Sequence, residues 1–330
     1  MAKASSRPTT SVEPWSDDHM VKPAELIDVR LPANLTLVDR RTFNALLRNA
    51  WSRIDQNGAE HVIALTELKG LHTGSNQRIS ETIKRLMTAL VEATVKGRRG
   101  TPVVRRAQML GGNDMDGDDN RTGILTYTFD PRLISIIRSS TTWGQLRMKV
   151  MAAFSSKYAL ALYEMGERRI HMRKFDEEMT LDDLRARLGV DGLSRYADLN
   201  RWAIKPAIEE VNAFALGFNL SIQELKRGKS VVGVRLHWWA KGEEEQQDAS
   251  SEINRCRVGR QARVRKAVAT LATRQTQLRL DMEAGLRGAI PRPVDYLGDE
   301  IPDLGPAQDL TGTRPGPHRY PPRTSPIPAQ

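Results

Sequence analysis

The chain has one cysteine, Cys256, in 330 residues. A lone cysteine can form no intrachain disulfide and no zinc site built on cysteine pairs, which fits a reducing compartment. Aromatic residues are only 5% of the chain, which suits small helical domains better than one large β core. No apolar run is long enough to span a bilayer, and the opening "MAKASSRPTTSVEPWSDDHM" lacks the apolar segment of a signal peptide. A cytoplasmic protein with no membrane role is expected. The six histidines (His19, His61, His72, His171, His237 and His318) are scattered, and none forms the His-x-His pair of a nickase or an HExxH helix. "GKS" at 228–230 is no phosphate loop, because Gln223 stands where the earlier glycine belongs. In "DMDGDD", Asp114, Asp116 and Asp118 fit the first three ligand positions of a calcium loop. Asp119 then replaces the turn glycine and Leu125 the closing glutamate, so a solvated loop tip is the better reading. The pairs Asp182/Asp183 and Glu209/Glu210 sit where helix caps place acidic residues. No catalytic residue, metal site or cofactor is expected, and the chain does not read as an enzyme.

What is present is positive charge. The net charge is +10 and the pI is about 9.8. That favours a polyanionic partner, nucleic acid before an acidic membrane surface. The length allows two domains plus tails, and 39% hydrophobic residues are enough to fold them. Five segments are expected. Residues 1–35 form a mobile arm, 36–140 a first domain and 141–240 a second. Residues 241–288 are a polar linker, "KGEEEQQDASSE", followed by an Arg-rich helix, and 289–330 a Pro-rich disordered tail.

Periodicity supplies the elements. "LVDRRTFNALLRNAW" is a helix with Asp39 as its N-cap, and "HVIALTELKGL" a short strand and a short helix capped by Thr66. A helix over "SNQRISETIKRLMTALVEATVKGRR" carries the stripe Ile79, Ile83, Leu86, Met87, Leu90 and Val91. "TPVVRRAQML" and "GILTYTFDP" alternate as strands and are expected to pair as a hairpin around the acidic tip at 111–123. Helices are expected at 131–138 and 142–167. In the second half, Thr180 and Asp183 form a capping box for "LDDLRARLG", which Gly189 stops. A longer helix, "RYADLNRWAIKPAIEEVN", follows, then two strands around the basic turn "KRGK". The order helix, short helix, longer helix, hairpin occurs twice. It is the order of a winged helix-turn-helix, whose second helix enters the major groove while the hairpin reaches the backbone. The fold class is therefore mainly α with small β-hairpins (α+β): two tandem winged helices.

The candidate contacts follow from that order. On the second long helix, Leu199, Ala203, Ala207, Ile208, Val211 and Phe214 form an apolar arc opposite Asp198, Arg201, Lys205, Glu209 and Asn212. Alone, that polar stripe is a solvated face with i,i+4 pairs. Behind a helix-turn, Asn200, Arg201 and Lys205 become candidates for base edges and phosphates. Pro206 has no N–H for the Trp202 carbonyl. Either it kinks one helix, the preferred reading, or it begins a new one. In the first unit Asn76 and Gln77 suit adenine, Ser80 phosphate, and Arg78, Lys84 and Arg85 either, with Arg98 and Arg99 close behind. Lys226, Arg227 and Lys229 suit a phosphate-contacting wing.

"FSSKYALALYEMG", "TLDDLRARLGV", "KPAIEEVN" and "RGKSVVGVRL" come in this order and spacing. Together they resemble the replication initiators of theta-replicating bacterial plasmids, the RepA/RepB/RepE-like family, over about 145–240. "LTYTFDP" and the helices before it extend the likeness more loosely to 37–140. The resemblance implies tandem winged helices that bind direct repeats (iterons) at a plasmid origin. It implies origin opening by the monomer, with the host initiator DnaA and the replicative helicase as partners. It also implies a homodimer that represses its own promoter. The acidic tip at 111–123 departs from the family pattern and puts a DNA role for the first wing in question.

Overall fold

A computed structural model describes residues 18–280, except 31, 55, 57, 72–75, 98, 116–122, 257, 261, 265, 267–268, 271–272, 274–275 and 278–279. The expected arm before residue 18, the Pro-rich tail, most of the acidic tip and Arg98 lie outside the described residues. Every element named below belongs to the compact unit that ends at Ala272.

The first half begins with β1 (His19–Pro23) and the one-turn helix α1 (Ala24–Ile27). Helix α2 (Leu37–Ala50) starts at Thr36, whose hydroxyl accepts from the Asp39 N–H while Asp39 accepts from the Thr36 N–H. Asp39 is thus the third residue of a capping box, not the cap itself. Then come β2 (His61–Ala64), α3 (Leu65–Lys69), α4 (Asn76–Thr88), β3 (Leu90–Lys96) and β4 (Pro102–Gln108). Ala64, not Thr66, precedes the first turn of α3, and no side chain caps it. After β5 (Asn113–Met115), β6 (Ile124–Tyr127) and α5 (Pro131–Ser139) the chain enters β7 (Trp143–Arg147) and α6 (Met148–Ala153).

The second half is α7 (Lys157–His171), β8 (Asp176–Thr180), α8 (Leu181–Leu188), α9 (Tyr196–Leu199), a π turn at Asn200–Ile204 and α10 (Lys205–Phe214). The long hairpin of β9 (Phe218–Arg227) and β10 (Ser230–Ala240) follows, then α11 (Glu243–Asn254). Sheet orders are β1-β7, β2-β6-β5, β3-β4 and β8-β10-β9, with every pairing antiparallel. The repeated unit is therefore α2, α3, α4, β3–β4 and again α7, α8, α9–α10, β9–β10. These are two winged helices of mixed helices and small sheets.

Four expectations are corrected. The first wing is β3–β4, not a pairing of "TPVVRRAQML" with "GILTYTFDP": β6 pairs with β2 and β5 instead. The stripe that seemed to carry α4 through Val91 ends at Thr88, whose hydroxyl bonds back to the Lys84 and Arg85 carbonyls. From Leu90 on, exposure alternates, with Val91 buried and Leu90 half exposed, as a period-two strand requires. The helix expected over 142–167 is a strand and two helices. Its first part pairs with β1, a segment expected to be mobile. Last, the polar "linker" is α11, with Glu243, Glu244 and Glu245 in its first turn, where the helix dipole favours them.

Both halves share α7 as a wall. Its Glu164 is almost fully buried and accepts from Lys22 of β1 at 2.8 and 2.9 Å and from Asn44 of α2 at 2.8 Å. Further along, Tyr163 stacks on Phe218 of β9, centroids 6.2 Å apart, and meets Phe154 at 5.3 Å. Asp28, just past α1, pairs with Arg168 and Arg169 of α7 and Arg187 of α8. Removing one partner of a buried ion pair strands the other charge. Lys22→Met should lower unfolding stability by about 3–5 kcal/mol, and Lys22→Met with Glu164→Met should recover most of it. Urea unfolding of the single and double variants measures both.

Candidate nucleic-acid interface

In the second winged helix, α8 is fixed at both ends. The Thr180 hydroxyl accepts from the Asp183 N–H at 3.1 Å. Gly189 leaves the helix at φ +65°, a left-handed conformation that favours glycine. Arg185 then donates to the carbonyls of Leu193 (3.3 Å) and Ser194 (2.7 Å), holding the turn that aims α9.

The helix α9–π–α10 merges the two readings of Pro206. Helical dihedrals run without interruption from Leu199 (φ −57°, ψ −46°) through Lys205 (φ −58°, ψ −50°). The Lys205 N–H donates to the Asn200 carbonyl five residues back, one wide turn placed directly before the proline. Pro206 then sits in the first turn of α10, where its missing N–H costs little. Buried residues fall at Leu199, Ala203, Ala207 and Val211, each four apart, together with Ile204. In an ideal α-helix such a stripe drifts around the axis. The wide turn straightens it, and aligns Arg201 with Lys205 on the exposed side.

Three anchors fix α10 from behind. Asn212, expected on the outer stripe, instead clamps Leu220, donating to its carbonyl (2.9 Å) and accepting from its N–H (2.7 Å). Glu210 accepts from the Ser155 N–H (2.8 Å), two residues before α7. Lys241 donates to the carbonyls of Asn212 (2.6 Å) and Ala215 (2.7 Å), and burial pushes its ammonium pKa down to about 8.

The sequence-derived candidates then divide. Arg201 and Lys205 are exposed on α9–α10, and Asn200 is half-buried in the π turn. Arg227 ends β9, and Gly228 (φ +62°) and Lys229 make the two-residue turn to Ser230. Glycine is at the position that a II′ hairpin reserves for it. Lys226, Arg227 and Lys229 are all exposed, with Lys226 paired to Glu224 at 3.0 Å. On α4, Gln77, Arg78 and Lys84 are exposed and Ser80 is half-buried. Two α4 candidates turn inward, which corrects the expectation. Asn76 is buried, and Arg85 forks onto Asp39 at 2.8–3.2 Å with Thr82 beside it. Burial alone would raise the Asp39 carboxyl. Its bonds to Arg85, Thr36 and Thr82 outweigh that and hold it below the usual range.

Arg99 is exposed at the tip of β3–β4, a loop closed by Gly97 N–H donating to the Thr101 carbonyl (2.8 Å). The acidic segment therefore does not tip this wing, and the objection it raised to a DNA role there falls away. The sequence signal was present in "VKGRRGT", glycine-flanked arginines between two β-branched runs, but the helical stripe masked it. Beyond its carbonyl, Trp202 drew no notice in the sequence. It is 62% exposed and lies beneath the Arg201 guanidinium, 4.9 Å from ring centroid to carbon.

Residues 19–167 match the family described as "Initiator Replication protein, WH1", and 180–238 the one described as "Initiator Rep protein, WH2". The chain belongs to the initiator Rep protein family. The first match starts inside the expected N-terminal arm and runs past the expected boundary at 140–141 to the end of the glutamate-bearing part of α7. Solved structures similar to this initiator include the Pi initiator protein in complex with iteron DNA: 14% identity, 68% of this chain and 98% of that one, TM-score 0.48. Domains 2 and 3 of RctB are another: 14% identity, 63% of this chain and 84% of that one, TM-score 0.36. No curated protein matches the chain in sequence. No described helix is long and apolar enough to cross a membrane.

The two α4 cations should separate cleanly. Arg85→Ala should cost about 1.5–3 kcal/mol of stability, the worth of hydrogen bonds to a charged group, and leave the salt dependence of DNA binding unchanged. Lys84→Ala should leave the thermal midpoint alone and shallow the log K against log salt slope by about 0.9. Thermal unfolding and anisotropy titrations at several salt concentrations check both.

Proposed function

We propose that this plasmid replication initiator acts on double-stranded DNA by placing α9–α10 in the major groove, with the β9–β10 turn on the adjacent backbone. Arg201 and Lys205 read bases, with Asn200 beside them, and Lys226, Arg227 and Lys229 hold phosphates. The first winged helix adds Gln77, Arg78, Ser80, Lys84, Arg98 and Arg99 as backbone contacts. One observation carries the reading: each helix-turn-helix exposes cations on its second helix and is followed by a hairpin with a basic turn. Two such modules in one unit suit direct repeats, the iterons implied by the family resemblance, better than one inverted site. Opening of the origin, DnaA and the replicative helicase as partners, a repressing homodimer and the absence of catalysis complete the proposal.

Binding and origin opening are tested together. Tandem direct repeats beside an AT-rich stretch should be bound in preference to scrambled DNA, and the AT-rich stretch should become permanganate-reactive. Binding confined to one inverted repeat over the promoter, without melting, would make the protein a simple repressor. Nicking that needs a divalent metal and one carboxylate would make it an enzyme.

Arg201→Ala should lower affinity for the specific repeat by about 1–3 kcal/mol relative to random DNA, if its contact is bidentate to guanine. Lys229→Ala should weaken all sequences alike and remove about one phosphate's share of the salt slope. Equal losses on specific and random DNA for Arg201→Ala would remove the base-reading role.

A further inference from the structure

Among the described phenylalanine, tyrosine and tryptophan rings only Phe175 and Trp202 are exposed, at 46% and 62%. Trp202 is not a core residue displaced by strain, because Ala203 and Ile204 fill the core behind it at 0% and 1% exposure. It stands on the outer side of the π turn, on the same face as Arg201 and Lys205. Single-turn π segments occur often at functional sites. This one sets Arg201 and Trp202 side by side in solvent. A large apolar ring held there gains little from folding, since most of its surface stays in water.

The ring faces two ways chemically. Arg201 lies over the indole at 4.9 Å, in cation–π range. An arginine resting on an aromatic face loses less freedom when its fork meets a base, because the ring already restricts it. With α9–α10 in the major groove as proposed, the exposed apolar edge of the ring would meet the edge of a base pair. In the major groove the apolar feature of a base pair is the thymine C5-methyl group, while guanine offers O6 and N7 to an arginine fork.

We propose that Trp202 is a specificity-determining residue, taking the C5-methyl of a thymine next to the guanine read by Arg201. The pair works as one composite reader of a guanine edge and its neighbouring methyl. This rests on the reading of α9–α10 as the DNA-reading helix.

The test uses the full-length protein and its origin repeat, made with deoxyuridine replacing thymine at one position at a time. Uracil pairs as thymine does and lacks only the methyl. For the wild type, one position beside an essential guanine should lose about fourfold in affinity, the share of one buried methyl-sized group. Trp202→Ala should bind thymine and uracil repeats equally at that position, and Trp202→Phe should keep part of the discrimination. The thermal midpoint should not change, because the ring is exposed. Two results would overturn the proposal: no uracil-sensitive position in the wild type, or the same uracil penalty in Trp202→Ala. Arg201→Ala separates this from the broader reading. If it too leaves specific affinity unchanged, α9–α10 is not the DNA-reading helix. If it lowers specificity while Trp202→Ala does not, only the role given to Trp202 fails.

Discussion

The fold depends on a carboxylate buried where three segments meet. Glu164 of α7 takes three hydrogen bonds, two from Lys22 and one from Asn44. Burying an ion pair costs several kcal/mol per charge, so such a pair persists only with its geometry satisfied. Satisfying it requires β1, α2 and α7 to be in place together. β1 in turn provides the partner for β7, and α7 provides the wall for the second winged helix. A surface-only packing of these segments would not demand that register. Burial pulls the Lys22 ammonium pKa down even with Glu164 raising it, a sign of how dry the site is.

The same wall couples the two DNA-facing modules. Arg40 of α2 donates to the carbonyls of Lys157 and Leu188. Arg41 donates to those of Met151 and Ala152, and Lys157 returns a bond to Ala33. The Asp28 arginine cluster adds half-buried ion pairs between α1, α7 and α8. Past the family-matched region, Arg260 lies over the Phe214 ring at 5.3 Å, and Glu252 accepts a fork from Arg263. α11 and the turn after it are thus tied to the body, not strung from it. The bonds of Arg40, Arg41 and Lys157 fix the spacing of the two winged helices.

Local chemistry was legible wherever a single segment decided it. The Thr180–Asp183 box, the Gly189 stop, the basic turn at 226–229 and the apolar arc of α10 are each written within a few residues. The stop, the turn and the arc hold in the structure; of the box only one half forms, the Thr180 hydroxyl accepting from the Asp183 N–H, while the Asp183 carboxylate accepts from the Thr180 hydroxyl and from Arg30. Misreadings came where two codes overlap. "LMTALVEATV" satisfies a helical stripe and a strand alternation at once, and the Thr88 back-bonds decide between them. Lys84 and Arg85 are adjacent cations with the same sequence signal. Only the position of the buried Asp39 carboxylate turns one inward.

The sequence by itself determined the repeated helix-turn-helix order and the basic character of the chain, because periodicity and charge are local properties. It also carried the motifs by which the family is recognised. Tertiary structure decided which strands pair, which cations face outward, and how a proline fits inside the continuous helix α9–α10. Those outcomes depend on groups far apart in the chain: β1 meets β7 across more than a hundred residues, and Arg85 meets Asp39 across 46. No local pattern encodes a partner at that distance. Burial of the whole core selects it.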